Sequence, residues 1–541
     1  MSIAQRILRK PPPNGSVGII GAGVSGLSFA YFLTKLRPDL SVTILESGSK
    51  TGGWIQTTEL QNTNSQITLE KGPRTLRGVS DGTLLILDML VQNGYSNQIM
   101  VMKSSSVANR KYLLDSNYNI VPVPHSFGSF VKFSGSELSH GLSGSIVRDF
   151  WNRKGDSKDE SVEQFFKRRF GSTLLTDRIL SAILHGIYAG DISKLSVKSL
   201  FPSLQKYEQN DGSIIKPMLK SGMKYIFSRE ERARRTQTSL PESLKSYEQK
   251  VASSSNLTNL RVALKGHPIV AMKDTLAVYP RMITSVLQHN PKVKFMFNTK
   301  ITEVCTDSGV VKIADGTSLQ FDHIRSTINV NSLAKLVDST SLADQLKSIE
   351  YVSVFMANIY SPNPNIKHKD ISGFGFLVPK SARNKEYLLG TIFDSDIAGH
   401  VYPLSDEPSS NSVKSTNMTM MLGGHWYQSG IPSTELSLKA VKTTLEKVFD
   451  VDLNDFNIIL RDEQRTDDKR VALTDKDIVI SYNMHRNCIP QYNVGYENTK
   501  TKVHDLLNSE SNRLSVGGMC FGRGVGVPDC VMNSLDDALL L

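Results

Sequence analysis

The residues best placed to do chemistry fall between Val17 and Glu46, in the run VGIIGAGVSGLSFAYFLTKLRPDLSVTILE. An apolar stretch, Val17 to Ile20, leads into Gly21-Ala22-Gly23-Val24-Ser25-Gly26. A helical pattern follows, with Leu27, Ala30 and Tyr31 on one face. A second apolar run, Val42 to Leu45, then closes on Glu46. Strand, turn, helix, strand and acid in that order describe a dinucleotide-binding unit. Gly21 permits the tight turn, Gly23 lets backbone approach a pyrophosphate, and Gly26 lets helix and strand pack closely. The helix start offers unpaired N–H groups and a positive dipole end to the phosphates. Glu46 stands where a carboxylate meets ribose hydroxyls. The bland alternative, a glycine-rich turn without a nucleotide, leaves the ordered strands and the terminal acid unexplained. The motif does not separate FAD from NAD.

A chain of 541 residues needs two or three cores to position such a unit. A hydrophobic share of 39% with 21% charged residues fits a folded protein in water. Cys305, Cys488, Cys520 and Cys530 have neither metal-ligand spacing nor the density of a disulfide framework, which points to a reducing compartment. The net charge of +11 favours anionic partners such as acidic lipid or a carboxylate substrate. No nucleic-acid motif accompanies it, so a nucleic-acid partner is not expected. No apolar run approaches the ~18 residues of a spanning helix. The start, MSIAQRILRKPPPNGS, carries Arg6, Arg9 and Lys10, with Ile3, Ile7 and Leu8 able to share a face. It reads either as a short mitochondrial presequence or as a basic tail ended by three prolines.

Downstream, Gly52-Gly53-Trp54 and Gly72-Pro73-Arg74-Thr75 suggest backbone lying against a ligand. Ser161 and Gln164 form a capping box, and Val162, Phe165, Phe166 and Phe170 repeat at helical spacing. A second helical stripe runs from Leu174 to Ile187. Residues 204–264 turn polar, with a charged run Arg229 to Arg235, and read as a partly disordered surface insertion. From about Asn329, strand patterning appears in Ser353–Tyr360, Gly373–Pro379, Leu388–Phe393 and Asn417–Leu422.

These blocks carry a resemblance. GGWI at Gly52–Ile55, EKGPRTLRGVSDGT at Glu70–Thr83 and ESVEQFFKRRFG at Glu160–Gly171 resemble the flavin amine-oxidase superfamily. GFGFLVPKS at Gly373–Ser381, LGTIFDS at Leu389–Ser395, IPQYNVGY at Ile489–Tyr496 and GVGVPDC at Gly524–Cys530 narrow the resemblance, since a superfamily relative would share the first glycine cluster but not GFGFLVP or GVGVPDC. Within that group the chain is similar to the protoporphyrinogen oxidases of the fungal mitochondrial type.

The resemblance implies an α/β fold: a discontinuous, Rossmann-like FAD-binding domain, an α+β substrate domain with an antiparallel sheet, and a helical membrane-associating domain. The implied division is a basic tail at 1–14 and FAD-binding parts at 15–105, 266–328 and 511–541. A mostly helical region with the polar insertion occupies 106–265, and the substrate domain 329–510. FAD is the implied cofactor, accepting hydride at flavin N5 and passing electrons to dioxygen, so no catalytic triad and no metal is expected. Ser25 and His185 then read as structural. Cofactor contacts are implied at Gly21 to Gly26, Glu46, Ser47, Trp54, Gly72, Pro73, Arg74, Thr75, Ile301, Met519, Val525, Gly526 and Val527.

For the substrate, the resemblance implies an apolar clamp of Phe374, Gly375, Leu377, Ile392 and Met421, with a cation for a propionate. That cation is Arg110 or Lys111; Arg110 is preferred because a guanidinium pairs a carboxylate bidentately. The family's Gly-Gly ahead of Tyr279-Pro280 is missing from the stretch 272–275, which leaves that loop's shape open. The implied reaction is six-electron oxidation of protoporphyrinogen IX by dioxygen in haem biosynthesis, giving peroxide. The implied location is the mitochondrial inner membrane, held peripherally. A homodimer and handover of product to ferrochelatase are left open as partners. The alternatives are another superfamily enzyme, such as an amine oxidase or carotenoid desaturase, or a non-catalytic FAD-binding scaffold.

Overall fold

The computed structural model describes residues 9–62, 65–78, 80–124, 133–141, 148–151, 155, 158–217, 219–220, 240–367, 371–382, 384–406, 414–463, 472–509 and 513–541. The first eight residues and the run Arg229 to Arg235 lie outside them.

Three separated stretches of chain build one parallel sheet of five strands. Its order is Val293–Met296, Ser41–Leu45, Ser16–Ile20, His323–Ser326 and Leu514–Val516. Ile20 lies beside both Leu45 and Ser326, so the central strand is flanked by a near and a distant piece of sequence. Buried on both faces, the central strand is almost wholly apolar, as parallel sheets require. The helix Val24–Leu36 packs on the C-terminal helix Val527–Ala538 and on Val278–Gln288, and the helix Asp81–Gln92 packs on both of those. Tyr279, fully buried in Val278–Gln288, reaches the Ser28 hydroxyl at 3.2 Å.

Where the family's Gly-Gly is missing, Leu276 is buried and its N–H donates to the Glu70 carboxylate at 2.8 Å. The loop is therefore tied down by a side chain. The strand Ile301–Cys305 belongs to a separate three-stranded antiparallel sheet.

The second large sheet has eight strands. They run Asn457–Asp462, Asp477–Pro490, Tyr351–Ser361, Thr416–Gly424, Leu388–Ile392, Gly375–Leu377, Lys111–Leu114 and Ile120–Pro122. The strand patterning read from the sequence falls on four of them. The expected antiparallel sheet is corrected to a mixed one: the first pair is parallel, as is Gly375–Leu377 with Lys111–Leu114. That second parallel pair joins a strand from far upstream, Lys111–Leu114, to Gly375–Leu377. The stretch 109–124, expected as the connection into the mostly helical region, supplies the last two strands of this sheet, with Ile120–Pro122 at its edge. They are too short to show an alternating pattern.

One face of this sheet packs on the helix Thr434–Phe449 through Phe355, Phe376, Met420, Val441 and Leu445. The other face looks toward the nucleotide-type sheet and the helical region. There the capping box at Ser161 forms as read, and a continuous helical run ends at Tyr188 after a π-turn at Thr176–Leu180. Arg169, fully buried, bonds Asp149 at 2.6 Å and Glu208 at 3.2 Å, locking these helices together. The polar insertion is not all surface. Helices Glu242–Lys250 and Leu257–Ala263 bury Leu244, Tyr247 and Leu257 against the helix-packed side of the parallel sheet. Tyr247 also donates to Asp88 at 2.7 Å. A few apolar residues at helical spacing, diluted by Lys, Gln and Ser, were enough to dock it.

Candidate active site

A cleft of about 450 Å³ opens between the parallel sheet and the mixed sheet. Of the residues expected to hold a cofactor, Gly21, Gly23, Val24, Ser25, Glu46, Ser47, Trp54, Pro73, Met519, Val525 and Val527 line it. Ala22, Gly26, Gly72, Thr75 and Gly526 do not line it, but all of these except Thr75 shape what does. Gly21 takes a φ of +101°, which only glycine adopts without cost. A Cβ on Gly26 would sit 2.0 Å from the Gly21 carbonyl, and one on Gly72 would sit 2.1 Å from the Trp54 carbonyl. The Glu46 carboxylate accepts the Ala22 N–H at 2.8 Å and the Gly48 N–H at 2.8 Å, which fixes it at the strand end.

Two helix starts converge on this cleft, at Gly23 and Gly526, and neither has a side-chain cap. Their first-turn N–H groups are left for an outside acceptor. A dinucleotide pyrophosphate is an acceptor of that kind, so the residues present fit FAD.

Sequence reasoning missed Lys71, Thr327, Tyr351, Asn483, His485, Asn487, Gly518, Cys520 and Cys530, all on the cleft wall. Tyr351, Asn483, His485 and Asn487 belong to strands of the mixed sheet, and nothing local in the sequence marks them. Lys71 lies within the EKGPRTLRGVSDGT block and Cys530 within the GVGVPDC block. Burial pushes the Cys520 and Cys530 thiols up to about 12, so they stay protonated. Trp54 packs edge-on to His485 at 5.4 Å. Burial also lowers the affinity of His485 for a proton.

Two expected cofactor residues lie elsewhere. Ile301 is absent from the cleft wall. Arg74 is buried outside it, its guanidinium 2.6 Å from Asp394 and 2.5 Å from the Thr419 hydroxyl.

Strand register decides which substrate-type residues share a face. Across the mixed sheet, Lys111 lies beside Gly375, Gly375 beside Ile392, and Ile392 beside Thr419. One row further, Leu113 lies beside Leu377, then Gly390, Met421, Met356 and Asn483. Asn483 also lines the cleft. The row Leu377, Met421, Met356 is thus continuous with the cleft wall. Phe374 packs beside Ile392 at the margin. Lys111 falls on this face. Arg110, one residue earlier in extended backbone, falls on the other with Tyr112. The preference for Arg110 thus meets a register that presents Lys111 instead. His185 sits on the helix Ser181–Tyr188, which packs over Leu377 on this face, with Nδ1 2.7 Å from the Val378 carbonyl and Nε2 3.2 Å from His425 Nε2.

A family profile described as flavin containing amine oxidoreductase matches residues 24–522. The chain is 34% identical to the protoporphyrinogen oxidase of Saccharomyces cerevisiae, over 99% of each chain. This chain belongs to the flavin containing amine oxidoreductases. Protoporphyrinogen oxidases of Schizosaccharomyces pombe and Homo sapiens are 27% and 26% identical, each over at least 95% of both chains.

Among solved structures, an Exiguobacterium sp. protein with a provisional protoporphyrinogen oxidase assignment superposes with a TM-score of 0.68. It is 18% identical, covering 97% of this chain and 98% of its own. A reduced UDP-galactopyranose mutase, at 12% identity, covers 97% and 93% with a TM-score of 0.60. Both establish the fold alone. In this flavin oxidoreductase, then, the uncapped helix starts and the apolar row belong to one continuous wall.

Proposed function

We infer that this chain oxidises protoporphyrinogen IX to protoporphyrin IX in haem biosynthesis, using FAD and dioxygen. The observation that carries the reading is the 34% identity, end to end, to a protoporphyrinogen oxidase. The register agrees with it: one sheet face offers a long apolar row and a terminal cation, matched to a greasy macrocycle with propionates. Bound FAD supplies the hydride acceptor, and dioxygen takes the electrons on to peroxide.

The chain's own residues bind, orient and exclude water. Gly23, Val24 and Ser25 would hold the pyrophosphate with backbone N–H groups, and Glu46 would hold the ribose. Leu377, Met421, Met356 and Ile392 form the apolar wall on which the macrocycle lies. Lys111 anchors a propionate, which sets which methylene bridge faces the cleft. Six hydrogens leave the substrate in three two-electron steps.

The enzyme works peripherally on the mitochondrial inner membrane. Support comes from Ile183 and Ile187, 40% and 45% exposed on one helix, and from Trp151, 78% exposed. Among the described residues no helix is long and apolar enough to cross a membrane. A homodimer and direct handover of product to ferrochelatase complete the reading.

Anaerobic mixing of purified yellow protein with protoporphyrinogen tests it. Flavin absorbance should bleach, and air should restore it with fluorescent porphyrin and peroxide. Flavin that stays oxidised, or bleaches only with a polyamine, overturns the reading.

A further inference from the structure

A second pocket of about 460 Å³ shares no lining residue with the cleft. Its walls include Tyr387, Trp426, Tyr427 and Leu436, with Lys385 and Lys439 at its edge. That volume lies within the range of small-molecule sites. Three rings meet there: Tyr387 and Trp426 have centroids 6.1 Å apart at 31°, and Tyr387 and Tyr427 stand at 85°.

Tyr387 is unusual. It holds a φ of +55° and is 41% exposed. A bulky aromatic in the left-handed region is strained, and it persists only where surroundings over-determine it. Here they do: Asn384 and Leu388 exchange two hydrogen bonds of 2.8 Å, and the Tyr387 carbonyl accepts the Gly423 N–H at 2.8 Å. The chain thus keeps a strained backbone that leaves an apolar ring in water. Leu436 beside it is 59% exposed.

The charges of the pocket are one-sided. Its acid, Glu386, already accepts from the Tyr118 hydroxyl and lies 3.7 Å from Lys447. Lys385 and Lys439 make no ion pair among the described residues. A ligand suited to the pocket is flat, aromatic and doubly anionic. Stacking on Tyr387 and Trp426 would hold its ring, and the two ammonium groups its carboxylates.

We propose that this pocket is a second site for a planar tetrapyrrole dicarboxylate, the chemical class of the enzyme's product. The proposal rests on the reading above for the identity of that class. The pocket also lies close to the catalytic face. The Trp426 and His425 rings lie 4.3 Å apart, tilted by 36°, and Trp426 packs against the same small apolar cluster as Met421, so an occupant lies close behind the apolar wall. It would hold released product away from the reacting surface.

The test is titration of oxidised holoenzyme with protoporphyrin IX, followed by porphyrin fluorescence, alongside turnover of protoporphyrinogen on the same samples. Wild type should bind two porphyrins per chain. Lys385→Glu with Lys439→Glu, and separately Tyr387→Gly, should weaken one site about tenfold or more and leave turnover at low substrate unchanged. Tyr387→Gly removes the ring and relieves the strain, while the charge variant leaves the backbone alone. The dimethyl ester of the porphyrin should also lose that site. One porphyrin per wild-type chain with turnover intact overturns the second site and leaves the reaction standing. So do two sites that neither variant changes. Charge-dependent binding without turnover supports the pocket and strikes instead at the reading of the reaction.

Discussion

Arg74 and Asp394, 320 positions apart in sequence, form a buried ion pair of 2.6 Å between the two halves of the molecule. Arg74 follows Gly72-Pro73 at the cleft, and Asp394 follows Ile392 on the substrate face. The same guanidinium bonds Thr419, which in turn accepts from Asn358 at 2.7 Å. The pair therefore sets the distance between the flavin-side loop and the apolar wall. Asp394→Asn leaves a buried guanidinium without its counter-charge, which costs about 3 kcal/mol. The expected result is a lower thermal midpoint by calorimetry and a fall in kcat, with FAD content unchanged.

Register places Lys111 rather than Arg110 on the apolar face. Lys111→Ala should raise KM for protoporphyrinogen about tenfold, ~1.4 kcal/mol, the scale of a lost hydrogen bond to a charged group. Arg110→Ala should change it less than twofold. Steady-state kinetics on both variants decides, and a large effect at Arg110 alone would return the role to that residue.

Gly26 meets the Gly21 carbonyl so closely that a methyl group has no room, since its Cβ would lie 2.0 Å away. Gly26→Ala should push the helix start off the phosphate path. Protein purified from this variant should lack most of its yellow absorbance, while circular dichroism still reports the helices.

Burial raises the Glu70 carboxyl from 4.5 to about 7, against the opposing hydrogen bond from Leu276. One of its oxygens, Oε2, is buried without a partner among the described residues. The folded state therefore holds this proton more tightly than the unfolded state. Its stabilising effect is full below about 4.5 and is lost as pH rises through about 7, on the order of 3 kcal/mol in all. Glu70→Gln should flatten that part of the stability curve and make the protein more stable than wild type at pH 8. Denaturant melts from pH 5 to 8 measure it.

Ile183→Asp with Ile187→Asp removes two exposed apolar groups from one helix face. Co-sedimentation with vesicles containing anionic lipid should fall severalfold, while turnover in detergent stays near wild type. Undiminished binding would move the contact to another surface.

Much of this protein is legible locally. A parallel-sheet strand and its glycine turn announce themselves, because the strand is apolar throughout and Gly21 and Gly26 answer steric demands within a few residues. The capping box at Ser161 is equally local, and so are the long strands ending in Ser361 and Gly424. The sequence by itself therefore determined the nucleotide unit, the broad α/β class and, through blocks spread along the chain, the family.

Tertiary structure decided the rest. Which cation joins the apolar wall depends on whether Lys111 or Arg110 pairs with Gly375, and a one-residue slip would exchange them. Arg74 lies in a glycine-proline turn that reads as a ligand contact, yet its charge is spent on an aspartate hundreds of residues away. Lys71, Asn483 and His485 reach the cleft only because two sheets meet there. The helices at 242–263 look solvated until Tyr247 finds Asp88. In each case the deciding term is a contact across a large sequence separation, and such contacts exist only once the sheets have packed.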